Sequence, residues 1–151
     1  MYDAIEVSEY ILDYYKRKGV FITNLKLQKL LYYIQLACLE SPRIRDTCFK
    51  QELVAWPYGP VVLDVYYKFI ISGWEPIVFE SNQIPRLDPI FKRTINEVLD
   101  KYQETSVAKL CHSTMSEYPW RNAYRKGQQN VISVEDLNRH LFEKGKIQEW
   151  Y

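Results

Sequence analysis

The sequence predicts a mainly α fold, a compact bundle of about six or seven helices with a small two-stranded β element. Apolar residues recur at helical spacing in several segments, and a capping residue precedes most of these segments. Extended segments are short and few. The chain has 151 residues, close to the commonest domain size, so residues 1–151 are expected to form a single domain.

The clearest helix follows a cap at Thr23 or Asn24 and ends at the Ser41–Pro42 pair. Its apolar stripe runs at i, i+3, i+4, i+7 and i+11 through Leu27, Leu30, Leu31, Ile34 and Cys38. Apolar residues also lie off the stripe, so most of its circumference should be buried. We therefore expect a central core helix, with Leu30 and Leu31 inside. An earlier helix is predicted over residues 4–18.

The middle of the chain predicts a short strand, a turn and a helix. Residues 52–56 favour the strand, and the Pro57–Pro60 segment has the composition of a turn. Proline suits the first helical position, so Pro60 is expected to begin a helix that ends at Gly73. Residues 77–79 form a second candidate strand, which is expected to pair with the first.

Three further helix starts follow in the second half. Asp88–Pro89 is a cap followed by a helix-initiating proline, Ser106 begins a shorter helix, and Pro119–Trp120 begins another. The last helix is expected to begin at Ser133, with Asp136 completing an arrangement like a capping box.

The net charge of +1 argues against steering of the whole protein to nucleic acid or anionic lipid. The three cysteines, Cys38, Cys48 and Cys111, lack CxxC spacing, which favours free thiols in a reducing cytosol. The first residues are acidic and lack the apolar core of a signal peptide, and the apolar stretches are too short to span a membrane. We therefore expect a cytoplasmic protein.

Motifs for catalysis or metal binding are lacking in the sequence: it contains no glycine-rich phosphate loop, no GxSxG and no HExxH. The histidines are His112 and His140, and a helix would direct His112 about 100° away from the adjacent Cys111. We expect no enzyme activity, no cofactor and no metal.

Two segments combine aromatic residues with proline, namely residues 55–60 (AWPYGP) and residues 117–121 (EYPWR). Rigid aromatic rings and arginine are typical of protein-binding hot spots. Tryptophans at helix entries also commonly fill a core. From composition alone, both interpretations stay open.

Three segments resemble motifs of one family. Residues 27–33 (LQKLLYY) are similar to its LQKLLYY helix, residues 56–62 (WPYGPVV) to its W-x-YGPVV turn, and residues 114–120 (TMSEYPW) to its TH-x-x-x-PW element. The three occur in the family's order. The chain thus resembles the Panacea domain, also described as SocA-like antitoxins and GepA-like phage-associated proteins. One departure is Met115, which stands where the motif has histidine.

The resemblance implies a helical antitoxin that neutralises a co-encoded toxin by direct protein contact. The alternative is a phage–host interaction protein or proteolytic adaptor with the same kind of surface, and a hydrolase or a DNA-binding regulator is less well supported. The expected partner is a protein, a cognate toxin encoded nearby, with no membrane and no nucleic acid. The expected partner-binding residues are Trp56, Tyr58, Gly59, Pro60, Met115, Trp120 and Arg121. Among them, Tyr58 is expected to be exposed and Trp56 to support the turn from inside.

Overall fold

The computed structural model describes residues 1–80, 83–127 and 130–149. Within these residues the fold is mainly α, with seven helices and one three-stranded antiparallel sheet, which confirms the predicted fold class. The helices are α1 (Ala4–Arg17), α2 (Asn24–Glu40), α3 (Leu63–Lys68), α4 (Pro89–Tyr102), α5 (Val107–Met115), α6 (Tyr118–Lys126) and α7 (Val134–Glu143). The strands are β1 (Leu53–Trp56), β2 (Gly59–Val61) and β3 (Val131–Ile132).

Helix α2 is the centre of the fold. It packs against α1, α3, α4, α5, α7 and strand β2, and nearly every residue along it is buried. Leu30 and Leu31 are fully buried, as the apolar stripe predicted. The helices around α2 are amphipathic: each buries one face against the core and exposes the other face to solvent.

Side-chain caps set most helix starts, as the sequence predicted. Thr23, Asp88 and Ser106 each accept a hydrogen bond from a backbone N–H in the first turn that follows. At α7, the Ser133 hydroxyl accepts from the Asp136 N–H over 3.0 Å. The Asp136 carboxylate instead accepts from the Asn122 amide over 2.8 Å, so this side chain joins α7 to α6.

The tyrosines of α1 attach this helix to α4. The hydroxyl of Tyr15 donates to the Leu99 carbonyl over 2.7 Å in the interior. Tyr10 donates to the Asn96 side chain over 2.6 Å nearer the surface. Each ring is buried while its polar tip finds a partner, which is the usual condition for burying tyrosine.

The sheet differs from the predicted pair of strands. Strands β1 and β2 form a hairpin in which Trp56 lies opposite Gly59 and Ala55 opposite Pro60. Pro60 therefore lies in a strand, and the prediction that it begins a helix was wrong. Helix α3 begins at Leu63, after Val62. The extended backbone persists because Lys29 and Gln28 of α2 bind it at Pro60 and Val62.

The predicted strand at residues 77–79 does not pair with β1. Instead, the Ile77 N–H donates to the Ile22 carbonyl over 2.8 Å, next to an isolated antiparallel bridge between Thr23 and Pro76. The second partner of β1 is β3, with Leu53 opposite Ile132. A two-residue strand is too short to show periodicity in the sequence.

Helix α3 also ends earlier than predicted. It stops at Lys68, and a 3₁₀ turn over Ile70–Ser72 continues the chain to Gly73. Gly73 has φ of +55°, a left-handed conformation that glycine adopts without strain. No helix in the described residues is both long and apolar enough to cross a membrane.

Substitution Leu30→Ala should destabilise the fold by about 2–5 kcal/mol, because it leaves a cavity in the centre of the core. Chemical denaturation measures the loss. The matched control is Val134→Ala, at a half-exposed aliphatic residue in the first turn of α7, which should change stability by less than about 0.5 kcal/mol. Equal effects of the two substitutions would contradict the central position of α2.

Candidate protein-binding surface

The three motif segments meet around one polar face of α2. Gln28 makes the first connection: its side-chain oxygen accepts from the Val62 N–H over 2.8 Å, and its amide donates to Asn24 over 2.9 Å. Asn24 in turn donates to the Tyr66 carbonyl over 3.0 Å. This chain of hydrogen bonds joins α2 to the end of β2 and to α3.

Lys29 makes the second connection and is fully buried. Its ammonium group donates to the Pro60 carbonyl over 2.9 Å. Burial lowers the pKa of Lys29 to about 8, because a charged amine loses its hydration inside the protein. The central helix therefore holds a basic group directly beneath strand β2.

Gly59 fits closely over this lysine. Its φ is +118°, a conformation that side chains rarely adopt. A Cβ at this position would lie 2.7 Å from the Thr114 hydroxyl oxygen and 2.9 Å from Cε of Lys29. Glycine is therefore required both by the backbone conformation and by the close approach of α2 and α5.

Tyr32 and Tyr33 make the third connection, to Glu117 at the start of α6. The Tyr32 hydroxyl donates to one carboxylate oxygen over 2.9 Å and the Tyr33 hydroxyl to the other over 3.1 Å. Tyr33 also shares a hydrogen bond of 2.6 Å with Ser113. Burial raises the pKa of Glu117, and the two tyrosine hydrogen bonds oppose this rise.

An imidazole also approaches Glu117, although Met115 occupies the motif's histidine position. Nε2 of His140, on α7, lies 4.0 Å from a Glu117 carboxylate oxygen. Burial is the main cause that lowers the pKa of His140 below its ordinary value, which favours the neutral ring. Met115 is half-buried and packs against the core.

Trp120 makes the fourth connection. Its indole N–H donates to the Trp56 carbonyl over 2.8 Å, and its ring stacks on Tyr124 with 4.5 Å between centroids. Only 8% of Trp120 is exposed. Helix α6 thus holds the end of β1 from one side while α2 holds β2 from another.

The structure divides the seven predicted contact residues between surface and interior. Tyr58 is 67% exposed at the tip of the hairpin, and Arg121 is exposed on α6. Trp56 and Met115 are half-buried. The remaining three, Gly59, Pro60 and Trp120, are buried. In the chain as described, only the exposed and half-buried residues can touch a partner, while the buried ones position them.

Trp56 lies between the turn and α3. Its ring meets Tyr66 edge-on at 4.9 Å between centroids, and Tyr66 meets Tyr67 at 5.5 Å. Its indole nitrogen is buried and has no hydrogen-bond partner among the described residues. The aromatic side chains thus continue from the hairpin onto the surface of α3.

A group of exposed apolar side chains lies near the end of α3 and was not predicted from the sequence. Ile71, Trp74 and Val78 are 94%, 88% and 82% exposed, although helical and strand patterns placed this segment in the fold. Residues 69–71 and 77–79 are short continuous apolar runs, so periodicity within them does not distinguish the inner face from the outer one. No sequence signal separated the exposed members from buried Phe69 and Ile77.

The described residues contain no group of three or more histidine, cysteine, aspartate or glutamate side chains suited to hold a metal ion. The three cysteines are free thiols. Gln28, Lys29, Tyr32 and Trp120 bond to backbone or to Glu117, which stabilises the arrangement of the hairpin.

A family model for the SocA-like antitoxin Panacea domain matches residues 27–121. The chain belongs to this family. The match begins at the LQKLLYY segment of α2 and ends at Arg121, so it includes the side chains that bind the hairpin and the start of α6, namely Gln28, Lys29, Tyr32, Tyr33, Glu117 and Trp120. No curated protein and no solved structure matches the chain significantly.

In this Panacea domain, substitution Gly59→Ala should destabilise the fold by more than about 2 kcal/mol, through strain at positive φ and through the clash with Thr114 and Lys29. Gly145→Ala is the control, because Gly145 has φ of +71° but no atom within 4 Å of the added methyl. The Gly145→Ala variant should lose only about 1 kcal/mol of unfolding free energy. Equal losses in urea denaturation would show that the close contact at Gly59 is unimportant.

The buried amine of Lys29 should give stability a particular pH dependence. Below about pH 8 both folded and unfolded states hold the proton, and the folded state carries the full desolvation penalty. Between about pH 8 and the ordinary pKa of 10.5 the folded state loses its proton first, so stability should rise with pH, by at most about 1.4 kcal/mol per unit.

Substitution Lys29→Met removes the amine and keeps a side chain of similar length. The variant should lack this rise, and the difference in unfolding free energy between the two proteins should change between about pH 7 and pH 9.5. Ionisation of tyrosines is common to both proteins and cancels in that difference. A constant difference across this range would contradict a buried charged amine.

Proposed function

We propose that this Panacea domain is an antitoxin that neutralises a cognate toxin by direct protein contact, and that the exposed tip of the β1–β2 hairpin is part of the contact surface. Family membership supports the antitoxin role. The single structural observation that supports the site is Tyr58, an exposed aromatic residue on a hairpin whose backbone is held from three sides.

The hairpin needs little ordering when it binds. The Trp56 carbonyl is bound by Trp120 and the Pro60 carbonyl by Lys29, on either side of Tyr58. Gly59 is enclosed between α2 and α5. A side chain presented by a rigid backbone loses less conformational entropy on association, which favours affinity.

The composition of the surface also suits a protein partner. Tyrosine and arginine are enriched at binding hot spots, and Tyr58 and exposed Arg121 lie on the hairpin and on the helix that supports it. Half-buried Met115 adds a flexible apolar side chain on α5. In this proposal the protein binds without catalysis or cofactor and acts in the cytoplasm, where its free thiols stay reduced.

The test is co-expression with the product of the adjacent gene. We expect the adjacent product to stop growth when induced alone, and this chain to restore growth and to co-elute with it as a stable complex. Failure of the pair to co-elute, with growth still arrested, would contradict the proposal. Rescue that requires a host protease would instead indicate an adaptor that delivers the toxin for degradation.

Substitution Tyr58→Ala should weaken toxin binding by about 1–4 kcal/mol and leave the melting temperature nearly unchanged, because the side chain is mostly exposed. Trp56→Ala should lower stability first, since its half-buried ring packs on Tyr66. Calorimetric titration and a melting curve are needed for each variant.

The control for this pair is Ile90→Ala, at a partly exposed apolar residue on α4, which should leave both readouts unchanged. A Tyr58→Ala protein that melts normally and binds at full strength would remove the hairpin tip from the interface. The antitoxin role would then need another surface.

A further inference from the structure

We propose that the exposed apolar surface around the 3₁₀ turn pairs two copies of this chain as a homodimer. This surface, the Trp74 patch, consists of Phe21, Tyr67, Ile70, Ile71, Trp74 and Val78, all of them exposed large hydrophobic residues. Its three most exposed members lie within eight residues of each other in the chain. The inference goes beyond the antitoxin role, because it concerns the free protein.

The backbone beneath the patch is well anchored. Phe69 and Ile77 are buried on either side of the turn. The Ile77 N–H is bound by the Ile22 carbonyl, and the Tyr66 carbonyl is bound by buried Asn24. The exposed side chains therefore project from a fixed base, which lowers the entropic cost of covering them.

Phe21 joins the patch through the short antiparallel contact between the two segments. Thr23 pairs with Pro76, and Ile22 with Ile77 is the next pair in this register. One further step places Phe21 opposite Val78. Side chains alternate along extended segments, so buried Ile22 and Ile77 share one face and Phe21 and Val78 share the other.

The size of the patch matches one half of a protein–protein interface. A fully exposed aromatic side chain presents roughly 150–250 Å² and an aliphatic one less, so these six residues, each half to almost fully exposed, together present on the order of 700 Å². The largest apolar patch on a typical monomer is roughly 300–600 Å². A standard interface buries about 800 Å² on each partner, which a second copy of the patch and its rim would supply.

The charges at the rim suit a second copy. Asp64, Lys68 and Glu75 are exposed on or beside α3 and the 3₁₀ turn, and none of them forms an ion pair within the part of the chain that the structure describes. In a two-fold interface every contact between two different residues occurs twice, because each of the two residues is present on both copies. Opposite charges from the two copies can therefore pair at both edges, whereas a rim of one sign would repel itself.

The experiment is sedimentation equilibrium of the purified full chain, with no partner present, between about 1 and 100 µM. We expect a reversible monomer–dimer equilibrium. Intrinsic tryptophan fluorescence provides a second readout: dilution should shift the emission to longer wavelength as Trp74 becomes exposed to water, and Trp74→Phe should abolish most of that shift.

Two variants test the location of the interface. Ile71→Glu and Trp74→Lys should each weaken dimerisation by about 30-fold or more, because each places a charge in the centre of the patch. Both side chains are almost fully exposed, so the melting behaviour of the monomer should be retained. The control Val134→Glu, at an exposed aliphatic residue on α7, should dimerise like the parent.

A parent protein that stays monomeric over the whole concentration range would overturn the proposal. So would folded Ile71→Glu and Trp74→Lys proteins that remain dimeric. Because no toxin is present in these measurements, neither result affects the antitoxin role, which the co-expression test addresses separately.

Discussion

The hydrogen bond from the buried Lys29 ammonium to the Pro60 carbonyl is the contact around which the rest of the structure is arranged. A buried amine loses its hydration and is tolerated only where a polar group receives it. This requirement keeps β2 against α2, and the small size of Gly59 allows the approach. Next to this contact, Gln28 binds the Val62 N–H just before α3, and Thr114 of α5 lies close to Gly59.

The residues that identify the family in this chain mostly lie inside it. Gln28, Lys29 and Tyr32 on α2 are buried, as is Trp120 on α6. Gln28, Lys29 and Trp120 bind backbone groups and Tyr32 binds the Glu117 carboxylate, and such hydrogen bonds are strong in a low-dielectric interior. Their role in this chain is to position the hairpin, and Tyr58 is the side chain that the hairpin presents to solvent.

Two surfaces of different character result from this arrangement. The hairpin tip is small and is held by side chains of α2 and α6. The Trp74 patch is larger and apolar, and it lies on a segment anchored to Ile22. An exposed tryptophan and isoleucine on a well-anchored backbone are costly to leave in water, so this segment is better explained by association than by folding of one chain.

Much of the fold was predictable from the sequence because helix formation depends on local signals. The caps at Thr23, Asp88 and Ser106 and the stripe through Leu30 act within a few residues, so the helix starts and the central position of α2 followed directly from the sequence. The motif order was likewise sufficient to predict the family.

The remaining features depend on partners far apart in the chain. The strand conformation of Pro60 requires Lys29, 31 residues earlier, and the burial of Trp120 requires the Trp56 carbonyl, 64 residues away. The segment at Ile77 pairs with Ile22 rather than with β1. Local propensity carries no information about which distant polar group or strand edge lies nearby, so these contacts were settled only when α2 and its neighbours packed together.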